Sequence, residues 1–283
     1  MEPMDENRKQ MDEDLEKLEI ELLLEGLNSW CGYDFRNYAY KSIRRRIWHR
    51  VHAEKLSTIT GLLEKVFHDP DCLNRLIADF SINVTEMFRN PLFFGEFREK
   101  VVPLLRTYPS IRIWHAGCST GEEVYSMAML LHEEGIYEKA KIYATDINAD
   151  VLKVAKSGIF PLENMKQYTN NYILAGGKKA FSNYYTVTQN GVKFHSYLTN
   201  NVVFAQHNLV TDSSFNEFHV ILCRNVLIYF NKSLKEHVHE LFYQSLGMFG
   251  VLGLGDKESI AFTNRAECYD EISGSQKLYK KIK

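Results

Sequence analysis

The sequence predicts an α/β protein in two parts, an all-helical N-terminal domain and a larger domain built on a mostly parallel sheet. First, apolar residues recur at helical spacing between residues 15 and about 80. Second, short β-type runs alternate with amphipathic helical segments after Asn90-Pro91. Third, residues 160–200 interrupt this alternation with two strand-like runs around Asn190-Gly191, a strong hairpin signal.

The predicted domain boundaries follow these changes in pattern. Residues 1–14 carry six acids and two bases, which is typical of a disordered acidic tail. Residues 15–90 are predicted to form the helical domain and its linker. Residues 91–283 are predicted to form the sheet domain, with a small inserted antiparallel β-subdomain at about 160–200.

The elements of the sheet domain are predicted in order from these runs. Strands are expected at 111–116, 141–147, 202–207, 219–224 and 249–255. Helices are expected at 122–135, 149–158 and 233–247.

Composition excludes several classes of protein. With 34 basic and 36 acidic residues, the net charge of −2 does not indicate a nucleic-acid-binding protein. The five cysteines lack CxxC spacing, and the histidines lack further ligands at metal-binding spacing, so we expect reduced thiols and no metal site. No apolar run approaches the ~20 residues of a membrane span, and the first ten residues lack the apolar core of a secretory signal. We therefore expect a cytoplasmic protein without membrane insertion, acting as a monomer.

The stretch AGCSTGEE, residues 116–123, directly follows the first predicted strand and has the character of a ligand loop. Gly117 and Gly121 allow a ligand to approach the backbone closely. The phosphate-loop GK[ST] and the dinucleotide GxGxxG patterns are absent. Glu122 and Glu123 at the start of the next helix would repel a pyrophosphate. The loop therefore favours a ligand without phosphates that carries positive charge.

Asp146 ends the second predicted strand, where an acid can accept hydrogen bonds from both ribose hydroxyls. A nucleoside with positive charge and no phosphate indicates S-adenosylmethionine. Simpler interpretations stay open at this point. In one of them, the two glutamates do no more than complement the helix dipole. In another, Asp146 caps the next helix, although Asn148 can do so as well. Glu122 is undecided between pocket and helix start.

Five blocks of the sequence resemble the CheR family of S-adenosylmethionine-dependent chemotaxis receptor glutamate O-methyltransferases. They are FSINVTEMFRNPLFF, IWHAGCSTGEEVYSMA, YATDIN, FAQHNLV and ILCRNVLIYF. The resemblance covers about residues 20–283, and the blocks occur in the family's order. It implies a helical N-terminal domain followed by a class I (Rossmann-like) methyltransferase domain with a small inserted antiparallel β-subdomain.

The resemblance also implies site residues. The family's cofactor contacts fall on Asn83, Thr85, Arg89, Glu123, Asp146, Asn208, Leu209, Arg224 and Asn225, alongside the loop glycines Gly117 and Gly121. Arg89 and Tyr229 are the family's candidates for a part in the chemistry. Tyr229 could equally be a packed aromatic whose hydroxyl finds a partner, and both interpretations stay open.

The implied reaction moves a methyl group from a sulfonium to a glutamate carboxylate and leaves S-adenosylhomocysteine. A free glutamate has a pKa of about 4.3, so the nucleophile is already ionised and needs no general base. Arg89 cannot be a base but can hydrogen-bond a carboxylate. The run RNVLIY lacks the tetrapeptide or the PC pair of methyltransferases that act on bases, which argues against a nucleic-acid acceptor.

The segment 35–55 carries seven Lys or Arg residues against one acid, which is unusual in a protein of slightly negative net charge. The family's receptors form an acidic, glutamate-rich cytoplasmic helical bundle. We therefore expect receptor docking on this helix, with Arg44, Arg45, Arg46 and Arg50 as candidate residues. A solvated surface helix is the simpler alternative.

The alternative functions are a non-catalytic cofactor-binding module and a methyltransferase of another substrate. The sequence does not decide whether the β-subdomain binds a receptor C-terminal pentapeptide.

Overall fold

The computed structural model describes residues 3–81, 85–261 and 263–283, with the backbone alone for residues 3–10. The chain forms two compact units. One comprises the residues up to 82 together with 229–234, and the other comprises 83–228 with 235–283. The sequence placed this boundary at 90/91. The residues just before Asn90 join the second unit because Met87 and Phe88 are fully buried in its core.

The first unit is helical, as predicted. Its helices are α1 (Pro3–Cys31), α2 (Tyr40–Ala53), α3 (Ile59–His68) and α4 (Pro70–Phe80). Thr58 caps α3 by accepting from the Gly61 N–H at 3.0 Å, and Asp69 caps α4 ahead of Pro70 at its first position. Apolar faces of all four helices enclose one buried core, with Leu27, Ile47 and Leu62 fully inaccessible.

The predicted acidic tail differs from the structure, since α1 begins at Pro3 and covers most of residues 1–14. Two physical effects favour this helix. Acidic residues at a helix N-terminus complement its dipole. The turns that follow are held by Ile20, Leu23 and Leu27 in the core, and each further turn then adds a hydrogen bond without a new nucleation cost.

The second unit contains the α/β fold. Its helices are α5 (Pro91–Glu96), α6 (Val102–Arg106), α7 (Glu122–Glu133), α8 (Ala149–Ser157), α9 (Met165–Leu174) and α10 (Lys232–Ser245), of which the first turn of α10 belongs to the helical unit. Its strands are β1 (Ile111–Ala116), β2 (Ala140–Asp146), β3 (Ile159–Phe160), β4 (Tyr185–Thr188), β5 (Gly191–Phe194), β6 (Val202–Gln206), β7 (Phe218–Cys223), β8 (Leu246–Leu254), β9 (Tyr269–Ser273) and β10 (Leu278–Lys281). A π-helical turn, Phe97–Val101, joins α5 to α6.

Seven strands form the main sheet in the order β6-β2-β1-β7-β8-β10-β9. The first five are parallel, and β10 and β9 are antiparallel at one edge. The carboxyl ends of β6, β2, β1 and β7 therefore lie along one edge of the sheet, where ligands bind in open α/β folds.

A small antiparallel sheet, β3-β5-β4, confirms the inserted β-subdomain. Thr188 pairs with Gly191, so the hairpin turns at Gln189-Asn190 as the Asn-Gly signal indicated. The five predicted strands of the main sheet are all present within a few residues. Helices α9, α5 and α6 and the terminal hairpin β9-β10 were not predicted. No helix in the described part of the chain is long and apolar enough to cross a membrane.

Candidate active site

The loop after β1 contains two glycines with positive φ. Gly117 has φ +78°, and a Cβ there would lie 2.6 Å from Val226 Cγ2. Gly121 has φ +96°, and its Cβ would lie 2.9 Å from Ala155 Cβ. The Gly117 and Cys118 N–H groups both donate to the Thr145 carbonyl, at 2.9 and 2.8 Å. The loop is thus fixed to the end of β2, and its two glycines let Val226 and Ala155 pack closely against its backbone.

Asp146 lies beside this loop at the end of β2. One carboxylate oxygen accepts from the Ser119 N–H at 2.9 Å and the other from the Asn148 N–H at 3.0 Å. Asp146 is buried, and burial raises its pKa although these backbone N–H groups oppose the shift. A carboxylate has about four acceptor positions, so Asp146 keeps acceptor capacity for hydroxyl donors. The cap of α8 is Asn148, whose side chain accepts from the Asp150 N–H at 2.8 Å.

Asn208 and Leu209 follow β6, the neighbour of β2. Gln206 pairs in register with Asp146, and the His207 N–H donates to the Asp146 carbonyl at 3.2 Å. Asn208 turns the chain here, since its side chain accepts from the Val210 N–H at 2.9 Å. Leu209 is buried. The structure therefore brings these two predicted residues close to Asp146.

Glu123 and Arg224 form a buried ion pair between α7 and the end of β7. Arg224 Nη1 lies 2.8 Å from Glu123 Oε2, and the Arg224 side chain is 2% exposed. His115 Nδ1 lies 2.9 Å from the other oxygen of Glu123. Burial alone would raise the pKa of Glu123, but the Arg224 charge and the His115 hydrogen bond together lower it to about 2. Glu123 is therefore ionised at neutral pH.

The segment carrying Thr85 and Arg89 is tied to the same network. Arg224 Nη2 donates to the Arg89 carbonyl at 3.0 Å and to Asn90 Oδ1 at 3.2 Å. The Phe88 N–H donates to Ser126 Oγ of α7 at 2.8 Å. Thr85 lies half-buried just before these contacts. Asn83, the remaining predicted residue of this block, lies outside the described residues.

Asn225 follows Arg224 and adopts a left-handed conformation, with φ +63°. Its N–H donates to Glu258 Oε2 at 3.0 Å, and its side-chain amide donates to Asp256 Oδ1 at 3.4 Å. Glu258 is buried in the loop after β8. The Asn225 backbone conformation is thus fixed by an acid that the sequence analysis did not select.

Glu122 lies one residue before Glu123 in a different environment. Its oxygens accept from Thr120 Oγ1 at 2.6 Å and from the Tyr168 hydroxyl at 3.5 Å. It is 5% exposed and has no cation partner among the described residues. Burial raises its pKa, opposed by the Thr120 hydrogen bond. Glu122 is therefore buried and hydrogen-bonded. It is not an exposed acid that only complements the helix dipole.

Tyr229 belongs to the helical unit. The Arg46 guanidinium lies over its ring, 4.7 Å from the centroid, and its carbonyl accepts from the Ala39 N–H at 2.8 Å. These contacts give Tyr229 a packing role within that unit. Its part in the chemistry stays a prediction.

The four predicted docking arginines of α2 are not equivalent. Arg46 is 5% exposed and donates to the Phe80 carbonyl, and Arg50 binds Asp79 and Glu54 with a side chain that is 11% exposed. As docking residues, these two are wrong. Their spacing explains the error, because Arg46 shares the buried helix face with Ile43, Ile47 and Val51, and Arg50 lies at the edge of that face. Arg44 is exposed but bound to Glu16 at 2.7 Å. Arg45 is exposed and makes no ion pair with another described residue.

Two site residues, His115 and Glu258, escaped sequence analysis. His115 lies inside the strand-like run IRIWHA, and Glu258 is one of several polar residues in the loop run GDKES. Neither run indicates which distant residue its polar side chain contacts. For His115, its place one residue before the glycine loop could have been a cue. No group of His, Cys, Asp and Glu residues that could hold a metal occurs in the described part of the chain.

A mostly parallel sheet with this strand order, a glycine loop after β1 and an acid at the end of β2 defines an enzyme of the class I methyltransferase type. The chain belongs to the CheR methyltransferase family. Residues 83–275 match the family described as "CheR methyltransferase, SAM binding domain", and residues 18–81 match "CheR methyltransferase, all-alpha domain". The protein is thus an S-adenosylmethionine-dependent methyltransferase.

Curated relatives extend over most of the chain. A Pseudomonas putida protein named Cher3 is 48% identical over 264 residues, which cover 93% of this chain and 97% of that protein. "Chemotaxis protein methyltransferase 1" of Vibrio cholerae is 30% identical over 83% of this chain and 86% of its own length. The "Chemotaxis protein methyltransferase" of Listeria monocytogenes is 29% identical over 81% of this chain and 85% of its own length.

The residues at the strand ends fit this cofactor. The loop after β1 carries no Lys or Arg for a phosphate. Asp146 is a buried carboxylate with acceptor capacity for two hydroxyls. Glu122 and Glu123 lie at the same strand ends, where the negative charge of Glu123 is balanced by Arg224.

Proposed function

We propose that this protein transfers the methyl group of S-adenosylmethionine to glutamate side chains of a chemoreceptor's cytoplasmic helical bundle. The products are glutamyl methyl esters and S-adenosylhomocysteine. The observation that carries the proposal is the match of both CheR domains, in order, over residues 18–81 and 83–275. Relatives named as chemotaxis protein methyltransferases over most of their length support the same substrate class.

The reaction is a displacement at carbon that needs no proton transfer. The bound cofactor supplies an electrophilic methyl group on a sulfonium. A glutamate oxygen forms the new C–O bond as the C–S bond breaks, and the electron pair returns to sulfur. Since glutamate is ionised at neutral pH, the protein has to desolvate the carboxylate, align it and exclude water. Arg89 suits this task because its guanidinium can hold a carboxylate by charge-assisted hydrogen bonds.

The proposed cofactor contacts follow the geometry of the strand ends. Asp146 accepts from the ribose hydroxyls, and Asn208 and Leu209 after the neighbouring strand lie near the adenine. Gly117 and Gly121 are proposed to admit the methionine portion to the loop, whose conformation depends on their positive φ angles. Glu123, Arg224, Asn225, Thr85 and Asn83 complete the proposed set.

Glu123 and Arg224 act in this scheme as a preformed pair. Each neutralises the other, and Arg224 also packs 3.9 Å from the centroid of the Phe93 ring. The pair joins α7, the end of β7 and the 89–90 segment. We infer that it keeps these three elements in place while one remaining oxygen lone pair of Glu123 faces the cofactor.

Receptor docking is proposed for the exposed arc of α2. Lys41, Arg45, His49 and His52 lie on this arc at helical spacing, and all four are exposed. An acidic helical bundle complements such a stripe, and charges of this kind chiefly speed encounter and fix orientation. The proposed site therefore shifts from four arginines to Arg45 and its exposed neighbours. We further propose a monomer that works in the cytoplasm.

The proposal is tested by incubating the full chain with labelled S-adenosylmethionine and candidate receptors. We expect label on the receptor that mild alkali releases, because glutamyl methyl esters are base-labile. Asp146→Ala serves as the control that should lose most of the label. Label that survives alkali would support another acceptor chemistry. Cofactor binding without receptor labelling would support a non-catalytic module.

A further inference from the structure

Glu258 is a buried acid that joins the loops after two neighbouring strands, β7 and β8. Its carboxylate accepts from the Gly255 N–H at 2.6 Å, the Asn225 N–H at 3.0 Å and the Ile228 N–H at 3.3 Å. It is 5% exposed. No Lys or Arg pairs with it among the described residues, so backbone N–H groups alone meet its charge. Burial raises its pKa, opposed by these backbone hydrogen bonds.

The loops after β7 and β8 pack closely against each other at Gly255. A Cβ on Gly255 would lie 2.7 Å from Glu258 Oε2 and 2.8 Å from the Asn225 nitrogen. The close approach of the two loops therefore requires glycine at 255 and an acceptor at 258. Asn225 is held at φ +63°, a left-handed conformation that asparagine tolerates better than most residues other than glycine.

The loop that Glu258 holds carries several of the proposed site residues. Arg224 and Asn225 are proposed cofactor contacts, and Ile228 directly precedes Tyr229 in the chain. Without the carboxylate, the buried N–H donors of this loop would lose their acceptor, and such unpaired groups are costly. The loop would then move to find other partners. A displacement of about 1 Å at a reacting site can cost about 100-fold in rate.

We propose that Glu258 is a positioning residue for methyl transfer, whose carboxylate fixes the loop after β7 in the conformation that the reaction needs. This inference rests on the proposed function for its turnover measurement. Glu258 acts on the backbone of the loop and does not need to contact either substrate.

The test is the variant Glu258→Gln in the full chain. Glutamine has about the volume of glutamate, but its NH₂ group cannot accept hydrogen bonds from the backbone N–H groups of the loops. We expect turnover per folded molecule to fall about 10- to 100-fold, with a receptor KM that stays within about twofold because docking lies on α2. S-adenosylhomocysteine affinity, measured by calorimetry, should fall about threefold to tenfold, since Arg224 and Asn225 lie on the loop.

Glu134→Gln is the matched control. Glu134 is also buried, and it pairs with Arg98 and Arg106 at the opposite end of α7. The Glu134→Gln variant should have a lower melting temperature than the parent but the same turnover per folded molecule. Equal turnover and equal cofactor affinity in Glu258→Gln and Glu134→Gln would overturn the inference.

Gly255→Ala keeps the test decisive if Glu258→Gln does not fold, because it leaves the carboxylate intact and displaces its partners. A similar loss of turnover in Gly255→Ala, at an unchanged receptor KM, supports the positioning role. Turnover equal to that of the parent overturns it. If the parent binds S-adenosylhomocysteine but methylates no receptor, the proposed function fails. The inference is then still decided by the cofactor affinity of the Glu258→Gln and Glu134→Gln variants.

Discussion

Glu122 and Glu123 are adjacent acids at the start of α7 that the fold treats in opposite ways. Glu123 lies between Arg224 and His115, and its pKa falls to about 2. Glu122 is buried against Thr120 and Tyr168, and burial raises its pKa. Two carboxylates from one helical turn thus differ because only one of them faces a cation.

Replacement of Glu123 by glutamine should destabilise the protein in a pH-dependent way. At neutral pH the variant leaves Arg224 buried and unpaired, which we expect to cost about 3–5 kcal/mol in the free energy of unfolding. The folded pKa lies below the ordinary value of 4.5. The stabilisation is therefore complete above about pH 4.5 and is lost as the pH falls toward 2.

Urea unfolding of both proteins between pH 7 and the lowest pH at which the parent still folds measures this difference. We expect the gap between parent and Glu123→Gln to narrow steadily below about pH 4.5. A gap that stays constant across this range would show that the charge of Glu123 is not what stabilises the fold.

Asp146→Ala should weaken binding of S-adenosylhomocysteine about 10- to 100-fold, because hydrogen bonds to a charged group contribute about 1.5–3 kcal/mol. Isothermal titration calorimetry measures the affinity, and thermal unfolding shows that the variant is folded. Asp150→Ala is the control. Asp150 is exposed on the first turn of α8, and its carboxylate binds only Lys153 among the described residues, so its variant should bind the cofactor product like the parent. Parental affinity in Asp146→Ala would contradict the ribose contact.

At the scale of the element, α2 shows how a basic helix divides its charges. Arg46 is buried and Arg50 is held by Asp79 and Glu54, while Lys41 and Arg45 remain exposed. A count of charges in the sequence could not separate these roles. The helical spacing of Ile43, Ile47 and Val51 could have done so, since it places 46 on the buried face and 50 at the edge of that face.

The double variant Lys41→Glu/Arg45→Glu should raise the receptor KM about 3- to 10-fold and leave cofactor affinity unchanged. The effect should shrink at high salt, because exposed charges are screened. Steady-state methylation at two salt concentrations measures both. Lys153→Glu/Lys156→Glu on α8 makes the same charge change at exposed positions. If this control raises KM as much as the α2 variant, docking is not specific to α2.

The parallel strands of the main sheet were predictable because β1, β2, β6, β7 and β8 are short runs rich in apolar residues, although β6 at the sheet edge is only partly buried. The terminal hairpin was not. The stretch YDEIS of β9 is polar and half exposed, and β10 is short, so neither gives a buried-strand signal. Helix α9 was missed because MKQYTNNYIL lies next to a strong hairpin signal and has weak amphipathic character.

At the scale of the whole molecule, the two-part organisation was predictable, but the contacts that assemble the site were not. Glu123 and Arg224 are 101 positions apart, and Asn225 and Glu258 are 33 apart. Only the order of the strands brings such residues together. The same holds for residues 229–234, which follow a strand of the second unit and group with the helical unit.

The central claim is that this chain methylates glutamate side chains of a chemoreceptor. The most direct measurement is tandem mass spectrometry of a receptor after incubation with S-adenosylmethionine and the purified protein, with Asp146→Ala in parallel. We predict one added methyl group on specific glutamates of the cytoplasmic helical bundle, removed by mild alkali and strongly reduced with the variant. Receptors that remain unmodified while the protein binds the cofactor, or methyl groups on residues other than glutamate, would contradict the claim.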